Sequence, residues 1–215
     1  MKEIYALGVG HATPVFIELA EACGYKVVGL YHYNDQRTRE MDHGYEILGS
    51  FSDLFQSDVK DKHFVLTMSD MLIKQTVSTK LIEMGGVIPT LIHPSAIVSR
   101  FATISDKGVL IGSQCEIQPD STIAEGCVLW PRVTICHGCH INNYVFVGPN
   151  AFVGAYAKLG ERAFIGQCSI LISGKVKEVG ENALIGAGAL VTKPVPAGAI
   201  VAGHPAKMIE IRQAT

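Results

Sequence analysis

An aliphatic residue falls at every sixth position from 111 to 171: 111, 117, 123, 129, 135, 141, 147, 153, 159, 165 and 171. Four residues after each comes a small or short side chain: Cys115, Ser121, Cys127, Val133, Cys139, Val145, Ala151, Ala157, Ala163 and Ser169, with Lys175 out of pattern. Glycine follows the aliphatic at 112, 148, 154, 160 and 166. The register resumes after an eight-residue spacing from Leu171, at Val179-Gly180, Ile185-Gly186 and Val191, and it extends less cleanly upstream through Ile92, Val98 and Ile104. This period predicts a coil whose flat faces are short strands. One aliphatic per face points inward, a small residue packs at the corner, and the turns are polar or glycine. Three such faces close one coil, and coils stack by strand pairing because no single coil can bury its own aliphatic ring. The prediction is a left-handed parallel β-helix of the hexapeptide type, an exception to the usual right-handed crossover.

Upstream the pattern is different. Glu3–Gly8 is an apolar run ending in glycine, as a buried parallel strand does. Thr13 is expected to cap a helix with Pro14 at its first position, and Val15, Phe16, Leu19 and Ala20 recur at helical spacing up to a stop at Gly24. Lys26–Tyr33 reads as a second strand and His63–Met68 as a third. Ser69-Asp70 is placed to cap a helix running to Glu83. Strand, helix, strand, then strand and helix make a small Rossmann-like α/β unit. Two domains are therefore expected, residues 1–90 and 91–215, with the boundary near Pro89–His93.

Charge changes at the same place. Residues 1–90 carry eight Lys/Arg against twelve Asp/Glu, and residues 91–215 carry ten against eight. The formal net charge of the 215 residues is −2, so the concentrated basic footprint that nucleic acid requires is missing. Apolar residues make up 48% of the chain and charged residues 18%, enough for a real core. No apolar run is long enough for a membrane span, and MKEIYALGVG lacks the pattern of a secretory leader. With six cysteines and no such leader, reduced thiols and a cytoplasmic location are expected.

Cys136-His137-Gly138-Cys139-His140 has the density of a metal site. The hexad argues otherwise. Cys139 holds the inward small slot of its repeat, as Cys115 and Cys127 do in theirs, so these thiols read as small hydrophobes. His137 and His140 fall at or beside a corner and face outward. From the residues alone each is either a solvated turn histidine or a general base, since imidazole titrates near neutrality. Gly8-Val9-Gly10-His11, after the first strand, is either a tight turn or a backbone cradle for phosphate; it lacks the third glycine of a dinucleotide fingerprint.

Taken in order, the Gly8–His11 loop, Ile92-His93-Pro94-Ser95-Ala96, the hexad array, and the tail Val191–Gly198 with Gly203-His204-Pro205-Ala206-Lys207 resemble one family. It is that of the bacterial nucleotide-sugar acetyltransferases of the sialic-acid, bacillosamine and perosamine pathways. The resemblance covers essentially the whole chain. It implies N-acetylation of a nucleotide-linked amino sugar by acetyl-coenzyme A, no metal, and a homotrimer with the thioester between adjacent β-helices. It gives His137 the general-base role, within Ile135-Cys136-His137-Gly138-Cys139. It implies sugar-nucleotide contacts at Gly10, His11, Asn34, Asp35 and Gly49, and coenzyme A contacts at Phe146, Gln167 and Ala187.

The chain departs from that family at several of these places. Members carry Asp or Glu directly after the histidine, where this chain has Gly138. They carry Asn-Thr where it has Trp130-Pro131, and some carry a histidine where it has Phe146. Sugar O-acetylation, transfer of another acyl group, and a catalytically silent sugar-nucleotide-binding protein are the alternatives these departures leave. A zinc hydratase of the γ-carbonic-anhydrase type fits less well, because the histidine spacing and the appended α/β unit do not suit it.

Overall fold

The computed structural model describes residues 1–211. The chain forms two compact units, Met1–Leu91 and Ile92–Thr215. In the first, β1 (Lys2–Leu7), α1 (Thr13–Ala22) and β2 (Tyr25–His32) follow in order. They lead to β3 (Met41–Asp42), β4 (Tyr45–Ser50), α2 (Phe51–Gln56), β5 (Phe64–Leu66) and α3 (Met71–Glu83). The sheet order is β3-β4-β2-β1-β5, parallel except for the β3–β4 hairpin. His43 and Gly44 both have positive φ, 50° and 86°, the conformation of a tight two-residue hairpin turn.

Two local expectations change. Thr13 opens α1 but does not cap it. Ala12 holds the cap position without a side-chain bond, while the Thr13 hydroxyl accepts from Gly10 N at 2.8 Å and donates to Gly8 O at 2.7 Å. The hydroxyl thus ties down the loop before the helix. The β3–β4–α2 segment is additional to the expected elements, and α2 begins with a capping box. Ser50 Oγ accepts from Asp53 N, and the Asp53 carboxylate accepts from Ser50 N, a bond that holds its pKa below the usual range. Asp70 caps α3 through Leu72 N and Ile73 N, both at 3.0 Å.

The second unit is a parallel β-helix of two-residue strands in three sheets, closed by an antiparallel pair, Ala199–Gly203 with Ala206–Ile211. The first face includes Leu110–Ile111, Val128–Leu129, Phe146–Val147, Phe164–Ile165 and Leu184–Ile185. Ile97–Val98, Glu116–Ile117, Thr134–Ile135, Phe152–Val153, Ile170–Leu171 and Leu190–Val191 form the second face. The third holds Thr103–Ile104, Thr122–Ile123, His140–Ile141, Lys158–Leu159 and Glu178–Val179. Pairing is in register from coil to coil, as in Val128 with Phe146 and Leu129 with Val147. The hexad aliphatics from Ile111 to Leu171 and the small residues after them fill one continuous core, each at most 2% exposed. At the corners one residue per hexad takes positive φ: Gln114, Asp120, Gly126, Arg132, Gly138, Tyr144, Asn150, Tyr156, Arg162, Cys168 and Gly174.

The eight-residue spacing is accommodated at one corner. Ser173, Gly174 and Lys175 bulge outward, and Val176, 1% exposed, takes the inward slot that the unbroken count assigns to Lys175. The next strand pair still matches, Lys158 with Glu178.

Burial also sets thiol chemistry. Desolvation pushes Cys115 and Cys139 up to about 11, so both are protonated at neutral pH. Cys168 is exposed at a corner. Iodoacetamide on the native protein is therefore expected to modify Cys168 and spare Cys115 and Cys139, as read by peptide mass spectrometry, because the thiolate is the reacting species. No helix among the described residues is long and apolar enough to cross a membrane.

Candidate functional site

In the first unit, the register of the sheet brings five sequence-predicted positions to one edge. Leu7 pairs with Tyr31 and Tyr31 with Gly49, so β1, β2 and β4 end side by side. Gly10 and His11 follow the end of β1, Asn34 and Asp35 follow β2, and Gly49 is the penultimate residue of β4 before α2. The carboxyl edge of a parallel sheet is where open α/β sheets bind ligands. Gly10 is exposed and an added Cβ there would meet nothing within 4 Å, while its N–H is held by the Thr13 hydroxyl. Gly8 differs. Its φ is +99°, and its carbonyl accepts from the hydroxyls of both Thr13 and Thr67. Asn34 Oδ1 accepts from Gln36 N at 3.2 Å and lies 3.1 Å from His32 Nδ1, which fixes the turn that presents Asp35 to solvent.

In the β-helix the predicted residues fall at two corners. Phe146, Gln167 and Ala187 line one cavity of 290 Å³ together with Trp130, Phe164 and Leu184. Phe146 and Phe164 come from adjacent coils of the first face and stack with ring centroids 4.5 Å apart and planes 3° apart. Trp130 packs against Phe146 at 6.2 Å. Gln167 and Ala187 form the rim at the corner between the first and second faces, and the floor is apolar.

His137 is exposed at the next corner, between the second and third faces. Its backbone is clamped from both neighbouring coils. Gln118 Oε1 accepts from His137 N at 3.1 Å, and His137 O accepts from Tyr156 N at 3.1 Å. Its ring meets the Tyr156 ring at 5.0 Å with planes at 89°. The buried Ser121 hydroxyl supports the same turn, donating to Cys136 O at 2.8 Å and accepting from Cys139 N at 3.2 Å. Cys139 faces the core while His137 faces solvent, so the Cys/His run does not converge. No group of three His, Cys, Asp or Glu residues among the described residues could hold a metal ion. His140 stands on the third face, its Nδ1 2.9 Å from Thr122 Oγ1.

One coil further along the same corner is a cavity of 430 Å³ lined by Ala155, Tyr156, Lys158, Gly174, Val176, Lys177 and Glu178. The outward bulge at Ser173–Lys175 borders it. Tyr156, Lys158 and Lys177 are not among the sequence-predicted residues. Only the two-residue excess in that coil marked this corner as unusual.

No family model matches the chain. Over 32 residues, 15% of the chain, it is 62% identical to the 2,3,4,5-tetrahydropyridine-2,6-dicarboxylate N-acetyltransferase of Staphylococcus aureus. That stretch spans 13% of the length of the curated relative. In three dimensions the chain is similar to the acetyltransferase domain of PglB from Neisseria gonorrhoeae, solved in complex with acetyl coenzyme A. The TM-score is 0.87 at 27% identity, covering 97% of this chain and 99% of that one. A mutant of the GDP-perosamine N-acetyl transferase from Caulobacter crescentus, in complex with CoA and GDP-perosamine, also gives 0.87. Its identity is 24% over 98% of each chain, a likeness of fold. The whole-length likeness is thus to acetyltransferases, on a fold that fits a left-handed β-helix.

Proposed function

We propose that this chain is an acetyl-coenzyme A-dependent N-acetyltransferase acting on the amino group of a nucleotide-linked sugar, with His137 as general base. The observation that carries the reading is the match over nearly the whole of both chains to an acetyltransferase domain holding acetyl coenzyme A. Residues 1–90 are read as a Rossmann-like module for the sugar nucleotide and residues 91–215 as the acyltransferase domain. Gly10, His11, Asn34, Asp35 and Gly49 supply the nucleotide-sugar contacts. Asp35, exposed past β2, suits hydroxyl or N–H donors of a ribose or base.

The donor supplies a thioester, an acyl group already activated for attack. The sugar amine forms the new C–N bond as the C–S bond breaks. His137 removes the proton from that nitrogen, and coenzyme A departs as the thiol once its sulfur is protonated. An exposed imidazole on a backbone clamped from two sides suits that task. Phe146, Gln167 and Ala187, which share one cavity, suit the apolar part of the donor. Lys158 and Lys177 add cationic groups at the His137 corner for its phosphates.

The donor cavity and His137 stand on different corners of one β-helix, so we read the working form as a homotrimer in which one copy's corner faces the other corner of its neighbour. The half-buried apolar side chains of Phe164 and Leu184 on the first face support that association. Six free cysteines suit a reducing compartment, the cytoplasm.

The test is release of free thiol from acetyl-coenzyme A across a panel of nucleotide-linked amino sugars and their hydroxy counterparts. Release with an amino sugar and not with its hydroxy counterpart is expected. Release with hydroxy sugars alone, or with none, overturns the reading.

A further inference from the structure

The ring of Tyr156 meets His137 at an exposed corner of the β-helix. The β-helix contains two places where a tyrosine at a positive-φ corner lays its ring over a glycine one coil earlier. At one, Tyr144 covers Gly126; a Cβ on Gly126 would lie 2.3 Å from the Tyr144 ring. At the other, Tyr156 covers Gly138, and a Cβ there would lie 2.7 Å from the Tyr156 ring. The backbone settings match, with φ of 55° at Tyr144 and 63° at Tyr156. Their burial does not. Tyr144 is 3% exposed and gains what any core aromatic gains, whereas Tyr156 is 64% exposed. What its ring does touch is the imidazole of His137, at 5.0 Å and nearly perpendicular.

We infer that Tyr156 is a positioning residue for His137: its ring, seated on Gly138, holds the imidazole in the orientation from which it takes the acceptor's proton. Gly138 is then required for space. A side chain at 138 would start 2.7 Å from the Tyr156 ring, so an acidic residue there would push the ring off this seat. The backbone adds to the restraint, because the same Tyr156 donates its N–H to His137 O. The tyrosine neither accepts nor donates the transferred proton. It limits the angles the imidazole can sample.

The inference rests on the general-base reading, and the variants separate the two. Tyr156→Leu, Tyr156→Phe and His137→Ala are compared by steady-state kinetics for both substrates, with the His137 ring resonances followed by NMR in the tyrosine variants. Tyr156→Phe keeps the ring and the backbone bond to His137 O, so it is expected to keep the parent melting temperature, against which Tyr156→Leu is compared. Tyr156→Leu is expected to lower kcat roughly three- to tenfold, the scale of one aromatic pair, with KM for the acceptor unchanged. It should also shift the His137 ring protons as the ring current is lost. Tyr156→Phe, which keeps the ring, restores both readouts. Unchanged kcat and unchanged His137 resonances in Tyr156→Leu, with turnover lost in His137→Ala, overturn the positioning role alone. Turnover that survives in His137→Ala overturns the general-base reading and the positioning role with it.

Discussion

His137→Ala is expected to lower kcat with a nucleotide-linked amino sugar by at least about 100-fold, while the melting temperature stays within a degree or so of the parent. A positioned general base contributes on the order of 10²- to 10⁴-fold, because it removes a proton the solvent would otherwise take inefficiently. The lower end is the appropriate expectation here. Acetyl thioesters are already activated, and an amine acceptor is a competent nucleophile once neutral. The side chain is exposed and its structural bonds run through backbone N and O, which alanine keeps. Stability and rate are thereby separable. Steady-state turnover at saturating donor and acceptor, beside a thermal melt, measures both. A drop in kcat with a collapsed melt would mean that the imidazole braces the corner. An unchanged kcat would remove His137 from the reaction and direct attention to His140, which stands one face away.

Gly154→Ala is expected to destabilise the β-helix by about 3 kcal/mol or more, the upper range for forcing an extra methyl into a close-packed site. A Cβ at Gly154 would lie 2.3 Å from Leu171 O, 2.4 Å from Ser173 N and 2.8 Å from Ser173 Cα. All three are backbone atoms of the next coil, so no rotamer change relieves the contact. Leu171 O also accepts the Gly154 N–H at 3.0 Å, so moving it away breaks a rung of the ladder. Gly174→Ala is the comparison. Its φ is +72° but a Cβ there would meet nothing within 4 Å, so it carries only the left-handed penalty of about 1–2 kcal/mol. Denaturant unfolding of the two variants separates coil clash from backbone strain. Equal losses would refute the idea that a glycine following an inward aliphatic exists to let coils approach.

The hexad array was legible because each coil imposes the same demands on the same positions, so one rule is written many times. Glycine at 112, 148, 154, 160 and 166 has a single physical cause, contact with backbone or a proline of the coil beyond. The α/β unit was legible in part. β4 escaped notice because its hydrophobic pattern is inverted: Leu48 points outward at 38% exposure while Gly49 is buried. Leu48 lies against the open side of Gly29 on β2, where a Cβ would come within 2.4 Å of it, and a single strand read alone cannot reveal that pairing. His43-Gly44 was the available hint of the hairpin. Thr13 had the right residue type for a helix cap but found nearer partners in Gly8 and Gly10. Lys175 looked like a breach of the core pattern, whereas the two extra residues carry it outward and bring Val176 in.

The site was legible where a residue type has few other uses at its slot, as with a histidine at a corner. Phe146, Gln167 and Ala187 share a cavity because coil stacking brings separate turns onto one column. Tyr156 was invisible for the same reason in reverse. An aromatic at a turn reads as a solvated loop residue until the coil before it is laid underneath.

The two extra residues at Ser173–Lys175 change which positions in the sequence answer to each other. Before them, residues that touch across coils are numbered 18 apart, as Thr122 and His140 are; across them the interval is 20, as for Arg162 and Asn182, and beyond them it is 16, as for Ile185 and Val201. Among variants of this chain, compensating pairs of substitutions should therefore concentrate at the first interval up to that bulge and at the second across it. A change confined to one coil will be felt by the coils on either side and little further, so the corner that holds His137 is free to diverge while the rest of the stack stays as it is.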